Sequence, residues 1–160
     1  MKAKDSRPDK DDIKIIATNR KARREYEILD SLEAGMSLLG SEVKSLRDGK
    51  ASFKDSYATA HQRAVVLYNL HIAPYEKTGF SGHDPERPRH LLLHEREMHW
   101  LASQTQEKGL TLIPLKLYFK GKYAKVEIAL CKGKRLYDKR AAIIERETRR
   151  SIEREFKRRR

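Results

Sequence analysis

Three of the six histidines lie close together: His90, His94 and His99, with Glu95 and Glu97 among them. A zinc hydrolase places two histidines four residues apart, in the pattern His-Glu-x-x-His, so that both reach one metal from one helix face. His94 and His99 are five residues apart. That is about 140° around a helix, so they cannot share a metal from one face. His90 precedes Leu91–Leu92–Leu93, which reads as strand. The simpler reading is a helix start, with His94 at the cap and Glu97 as its capping partner. Cys131 is the only cysteine and sits beside Lys132 and Lys134. Basic neighbours favour a thiolate, but no histidine or asparagine context marks a nucleophile, and Cys131 reads as a small, nearly buried side chain. Asp138 and Glu145 are surrounded by arginine and lysine, which makes ion pairing their simplest role. G-x-S-x-G, P-loop and G-x-G-x-x-G patterns do not occur. The residues predict no catalytic constellation, no metal site and no cofactor.

The basic residues point elsewhere. Asn19–Arg20–Lys21–Ala22–Arg23–Arg24 is one dense cluster, and Lys120–Gly121–Lys122–Tyr123–Ala124–Lys125 interleaves lysine with tyrosine. Such patches contact phosphates while an aromatic ring stacks on a base; either patch could equally be a solvated surface. The last 30 residues hold 13 basic and 5 acidic side chains, a net +8, leaving +5 for the first 130. From Asp138 onward there is no glycine or proline, and Glu145–Arg149, Glu153–Lys157 and Glu155–Arg159 are favourable i, i+4 pairs. Ile144, Thr148, Ile152 and Phe156 make one narrow stripe. This is too little apolar area to fold the segment alone, and a helix completed by an anionic surface fits best.

Between these features lie the elements that must position them. Tyr26 and Ile28 alternate with charged neighbours, as on a half-buried strand. Ala34 to Gly40 reads as a second short strand, with Gly35 and Gly40 at turns. Ser41 to Arg47 reads as a short helix with an N-cap serine and Gly49 just beyond. Tyr57–Ala60 and Val65–Ile72 read as strands around a polar turn, and Pro74–Pro88 as a loop. His94–Lys108 has helical spacing, with Gly109 at its C-terminal stop. Thr111–Phe119 and Tyr123–Leu130 form a hairpin with one polar face. About six short strands with inserted helices predict a mainly β fold, a small closed antiparallel barrel of OB type. An open α+β sandwich is the alternative.

The chain has 160 residues, with 37% charged and 38% hydrophobic side chains and a net charge of +13. That is one domain with appendages. No apolar run approaches the ~20 residues that span a bilayer, and the polar N-terminus lacks the apolar stretch of a secretory signal. With a single cysteine, these features predict a soluble, cytoplasmic protein, and the basic balance predicts a polyanionic partner. Residues 1–18 are expected to be a disordered leader, 19–131 the barrel, and 132–160 a basic tail.

Several segments resemble the SsrA-binding (SmpB) family. They are Asn19–Arg20–Lys21–Ala22–Arg23, Glu33–Ala34–Gly35, Gly40–Ser41–Glu42–Val43–Lys44–Ser45–Leu46–Arg47, Lys54–Asp55–Ser56–Tyr57, and Cys131 through Arg140. His83–Asp84–Pro85, Arg87–Pro88–Arg89 and Gln106 through Thr111 match as well. The chain departs at Leu32, where members often have phenylalanine, and at Thr148, where some carry a tail tryptophan. The resemblance implies an OB-type barrel that is not an enzyme. It would bind the tRNA-like domain of tmRNA, as a monomer, and deliver it to stalled ribosomes. By position, Asn19, Arg20, Lys21, Arg23, Glu33, Tyr57 and Lys125 would form the tmRNA face. Gly133, Lys134, Tyr137, Asp138, Lys139, Arg140 and Ile152 would act in the decoding site and mRNA channel of the small subunit, along its rRNA, with the tail disordered when free and helical when bound. A structural ribosomal protein with a basic extension is the competing reading from composition. A nuclease would need a metal-binding carboxylate cluster, which the chain does not show.

Overall fold

Alternation of apolar and polar side chains builds most of the molecule. In the computed structural model the described residues are 13–76, 82–135, 140 and 143–150. In chain order the strands are β1 (Ile13–Thr18), β2 (Tyr26–Met36), β3 (Ala51–Ser52), β4 (Tyr57–His61), β5 (Ala64–Tyr68), β6 (His71–Ile72), β7 (Arg89–Leu92), β8 (Thr111–Lys120) and β9 (Tyr123–Gly133). The helices are α1 (Ala22–Glu25), α2 (Gly40–Arg47) and α3 (Glu95–Lys108). Six strands pair in a ring, in the order β8–β4–β5–β7–β2–β9, and β9 returns to β8. β1 is added on the other edge of β8, while β3 and β6 form a separate two-stranded ladder.

The long strands share their edges between partners. β8 meets β4 at Leu112 and β1 from Lys116 to Lys120. β2 runs along β9 from Tyr26 to Gly35 and meets β7 at Gly35 and Met36. Gly35 belongs to both ladders. A Cβ there would come within 3.2 Å of the Leu92 Cβ, so the glycine permits a close strand approach. The register shifts on β8 between Pro114 and Lys116. Proline has no N–H for a ladder and is tolerated at such an irregularity.

One apolar cluster joins Ala34, Leu67, Leu117, Val126 and Ile128 from the ring to Leu46 of α2 and Leu101 and Ala102 of α3. Each fully buried leucine contributes roughly 1.5–3 kcal/mol, which holds α2 in place although eight residues are marginal for an isolated helix. A second, smaller cluster lies under α1 and contains Ala22, Ile113, Leu115, Ala129 and Cys131. The α3 ends follow from local chemistry. The His94 N–H donates to Glu97 Oε2 at 2.9 Å, and Gly109 takes a left-handed φ of +59°.

Four expectations need correction. The N-cap of α2 is Leu39, and Ser41 lies inside the helix, because Glu42 reaches back to the Leu39 N–H. The leader does not extend to residue 18, because Ile13–Thr18 is a strand held by β8, about a hundred residues further on; residues 1–12 lie outside the described residues. Ala34–Gly40 is not a separate strand, since Ala34–Met36 ends β2 and Gly35 sits inside a strand rather than in a turn. β9 also runs past residue 131, to Gly133, because Tyr26 at the start of β2 pairs with it.

Candidate nucleic-acid interface

Antiparallel register places side chains in rows across the outer face of four neighbouring strands. Ile13, Lys120 and Tyr123 make one row. Ile15, Tyr118, Lys125 and Gly35 make the next. Lys116, Glu127 and Glu33 make the third. The inward neighbours Leu117, Phe119, Val126 and Ile128 belong to the main core, so the period of two leaves these rows facing out.

Glu33 is the electrostatic centre of this face. Tyr118 Oη donates to its Oε2 at 2.6 Å, Lys120 Nζ lies 3.3 Å from both oxygens, and Lys125 Nζ lies 3.7 Å from Oε1. The Tyr118 hydrogen bond holds the Glu33 carboxyl below the usual carboxylate range; partial burial opposes it, and Lys120 and Lys125 add to it. Burial first, and then the Glu33 charge, push the Tyr118 phenol well up. Glu33 is therefore ionised at neutral pH, half-exposed, and gathers two lysines beside it. A carboxylate has about four acceptor sites, so an incoming N–H donor can still be accepted. Lys120 belongs to the basic patch read from sequence, but Tyr118 was not singled out there. Their i, i+2 spacing after Lys116 puts all three on one strand face, and the strand registers bring that face to Glu33.

The Asn19–Arg24 cluster lies at the other end of the same face. The Asn19 side chain is used internally: its Nδ2 donates to the Pro114 carbonyl at 3.0 Å, and its Oδ1 accepts from the Ala22 N–H at 3.1 Å. It ties the start of α1 to β8, and so presents Arg20, Lys21, Arg23 and Arg24, all exposed. Lys21 reaches Glu25 at 3.7 Å and Asp55 at 3.8 Å. A cavity of about 290 Å³ opens there, lined by Asn19, Lys21, Tyr26, Phe53, Ser56 and Tyr57 among others. Tyr57 stacks on Tyr68 with ring centroids 5.4 Å apart. Asn19, Lys21 and Tyr57 thus meet at one cavity, while Glu33 and Lys125 meet in the charged rows.

The tail begins where the sheet ends. Gly133 is the last residue of β9, and the Lys134 N–H donates to the Glu25 carbonyl at 3.0 Å. Arg140 is exposed, and residues 143–150 are helical. Ile143, Arg146, Glu147 and Arg150 of that helix form a groove with Arg23 and Arg24 of α1. Tyr137, Asp138, Lys139 and Ile152 lie outside the described residues.

The groups weighed for catalysis have other occupations. Burial pushes the Cys131 thiol up to about 11, so it stays protonated at neutral pH. His99 Nε2 lies 3.6 Å from Glu95 on its own helix, and among the described residues no three His, Cys, Asp or Glu side chains converge as a metal-ligand set. No helix among the described residues is long and apolar enough to cross a membrane.

A family model described as SmpB protein matches residues 16–158. The chain belongs to the SmpB family. The match extends through both ends of the charged face and into the tail. An SsrA-binding protein from Pelotomaculum thermopropionicum is 52% identical over 147 residues, covering 92% of this chain and 96% of the relative. Another, from Carboxydothermus hydrogenoformans, is 54% identical over 140 residues, covering 88% and 94%. Among solved structures, a chain described as "tmRNA-SmpB: a journey to the center of the bacterial ribosome" shares 48% identity. Its TM-score is 0.64, covering 79% of this chain and 93% of that one. An SmpB fold at this similarity is mainly β with a few helices, as the six-strand ring is.

Proposed function

We propose that this chain is a cytoplasmic, non-enzymatic RNA-binding protein that holds the tRNA-like domain of tmRNA and delivers it to stalled ribosomes for trans-translation. The six-strand ring serves as a closed OB-type barrel. Its outer face binds the RNA through Arg20, Lys21, Arg23, Glu33, Tyr57 and Lys125, with Asn19 holding the Arg20–Arg23 segment in place. The tail, residues 132–160, enters the decoding site through Gly133, Lys134, Tyr137, Asp138, Lys139 and Arg140. It completes its helix, including Ile152, in the empty mRNA channel. The observation that carries this reading is Glu33: an ionised carboxylate fixed by Tyr118, Lys120 and Lys125 at the centre of a basic face, in a chain of the SmpB family. A surface evolved only for phosphate has no use for such a group. An exocyclic base amine does.

Binding to tmRNA is expected to fall steeply with salt, since each neutralised phosphate releases counterions. Glu33→Ala raises the net positive charge and frees two lysines, so general electrostatics predicts tighter binding. A specific hydrogen bond predicts the opposite, a loss of about 1–3 kcal/mol on tmRNA only. Gel shifts of both proteins on tmRNA and on an unrelated hairpin, at two salt concentrations, decide the matter. Equal affinity of the unmodified chain for the two RNAs would overturn the proposed function. Unchanged tmRNA binding by a folded Glu33→Ala variant would reduce Glu33 to a surface ion-pair partner.

A further inference from the structure

The tip of the β8–β9 hairpin presents an aromatic side chain to water. Gly121, at φ +60°, occupies the first position of a two-residue loop, and Lys120 and Tyr123 close that loop as a cross-strand pair. Glycine takes this left-handed conformation without strain, so the turn is tight and its flanking residues are well placed. Tyr123 is 74% exposed, the highest value among the exposed large apolar side chains of the described residues. On the same outer face, Ile13 is 52% and Ile15 58% exposed, opposite Lys120 and Tyr118 respectively. Three apolar side chains thus stay in water at one rim of the Glu33 cluster, and Lys120, Lys122 and Lys125 border them.

Large apolar side chains gathered in water at one place, with Lys120 between Ile13 and Tyr123, mark a binding surface. The lysines decide the kind of partner. Four cations, Lys116, Lys120, Lys122 and Lys125, against two carboxylates, Glu33 and Glu127, favour a polyanion, and an aromatic ring among cations at a rigid turn is the arrangement by which proteins stack unpaired bases while holding the adjoining phosphate. A side chain with two rotatable bonds at the strand end beside a two-residue loop also loses little conformational freedom on binding. The charged rows around Glu33 and this tip are continuous, so one RNA can span both. We propose that Tyr123 is a stacking platform for one unpaired base of the RNA that lies on the Glu33 face, with Lys122 contacting a phosphate beside that base. Ile13 and Ile15 supply the apolar flank. The inference rests on the RNA-binding function proposed above and adds a site at the hairpin tip.

The test separates stacking from charge. Affinity for tmRNA is measured over a series of salt concentrations for the unmodified chain, Tyr123→Ala, Tyr123→Trp and Lys122→Ala. Stacking neutralises no phosphate. Tyr123→Ala is therefore expected to weaken binding about fivefold to a hundredfold at every salt concentration, with the slope of log affinity on log salt unchanged. Tyr123→Trp keeps a ring and is expected to bind as tightly as the unmodified chain, or tighter. Lys122→Ala is expected to lower the slope by about one contact. Binding by Tyr123→Ala within about twofold of the unmodified chain would overturn the platform, as would a Tyr123→Trp chain no better than alanine. These outcomes differ from failure of the RNA-binding reading, in which the unmodified chain itself would not distinguish tmRNA from an unrelated hairpin.

Discussion

A chain ending at Gly133 is expected to bind tmRNA with near-normal affinity and to tag no peptide on a stop-less message. The two halves of this result have separate physical grounds. β9 ends at Gly133, and its ladder with Tyr26 is complete there. The Asn19–Arg24 cluster, the Glu33 cluster and Tyr57 all lie upstream of that point. The truncation removes the Lys134 contacts to Glu25 and Arg23, exposed hydrogen bonds with a small net contribution of about 1 kcal/mol each. It also removes most of the basic surplus and the whole helix-forming segment that would lie in the mRNA channel. The triple change Asp138→Ala, Lys139→Ala, Arg140→Ala is expected to abolish tagging as well. Alanine is the best helix former, so this variant keeps the capacity to fold the tail and loses only contacts. Peptide tagging in a reconstituted translation system, run beside a tmRNA gel shift, measures both. Normal tagging by the truncated chain would make the six-strand ring and its helices the whole functional unit.

The second large effect concerns stability. Glu42 on α2 and Arg89 at the start of β7 are both fully buried. Glu42 Oε1 accepts from Arg89 Nε at 2.8 Å and from Arg87 Nε at 2.9 Å, and its Oε2 accepts from Arg87 at 2.6 Å and from the Leu39 N–H at 2.7 Å. Arg89 also donates to the carbonyls of Leu70, Arg87 and Pro85. His83, likewise buried, bridges Ser41 and the Ile72 carbonyl. One network thus fastens the 82–88 segment and β7 to α2. Removing one partner of a buried pair leaves an uncompensated charge, which costs about 3–5 kcal/mol. Glu42→Ala or Arg89→Met is expected to lower Tm by about 10–20 °C for a domain of this size. In a double-mutant cycle the second change should cost much less than the first. Additive losses would mean that the two side chains act independently.

This effect carries a pH signature. Burial alone would raise the Glu42 pKa. The hydrogen bonds from Arg87 and the Leu39 N–H, with the Arg89 charge, outweigh it and hold the carboxyl below its ordinary value. A folded-state pKa lowered in this way contributes stability that is complete above the unfolded value of about 4.3. It is lost as the pH falls through the folded value. The stability gap between the unmodified chain and Glu42→Gln is therefore expected to be widest near neutral pH and to narrow on acidification. Thermal melts of both proteins across the acid range test this, and a gap that widens toward low pH would contradict the assignment. Glu33 shifts in the same direction, but its exposure leaves solvent to screen it, and its contribution is smaller.

Short-range chemistry was legible along the chain. The α3 start rests on one hydrogen bond between residues three apart, His94 and Glu97, and its stop on one glycine. The β8–β9 hairpin closes over a two-residue loop, and alternation alone separated its faces. The basic character of the tail was readable from charge, and burial of Cys131 from the lack of any nucleophile context around it. Each of these signals lies within a few residues of the element it specifies.

Long-range pairing was not legible in the same way. Ile13–Thr18 looked like part of a polar leader because the partner that makes it a strand, β8, lies far along the chain. The single long β2 looked like two strands because its register shifts between Ile28 and Asp30, which breaks the period of two. Gly35 looked like a turn residue, although its missing side chain serves a close approach to Leu92. Glu42 looked like an ordinary charged helix residue, yet the fold buries it against two arginines nearly fifty positions away. At the interface the chain announced basic clusters, and family resemblance pointed to Glu33. Only the antiparallel registers of β1, β8, β9 and β2 set Glu33 beside Tyr118, Lys120 and Lys125. A residue's propensity and its near neighbours act through bonds and turns that the chain order already contains. The partner across a ladder depends on how distant strands align, and that alignment exists only once the core has closed.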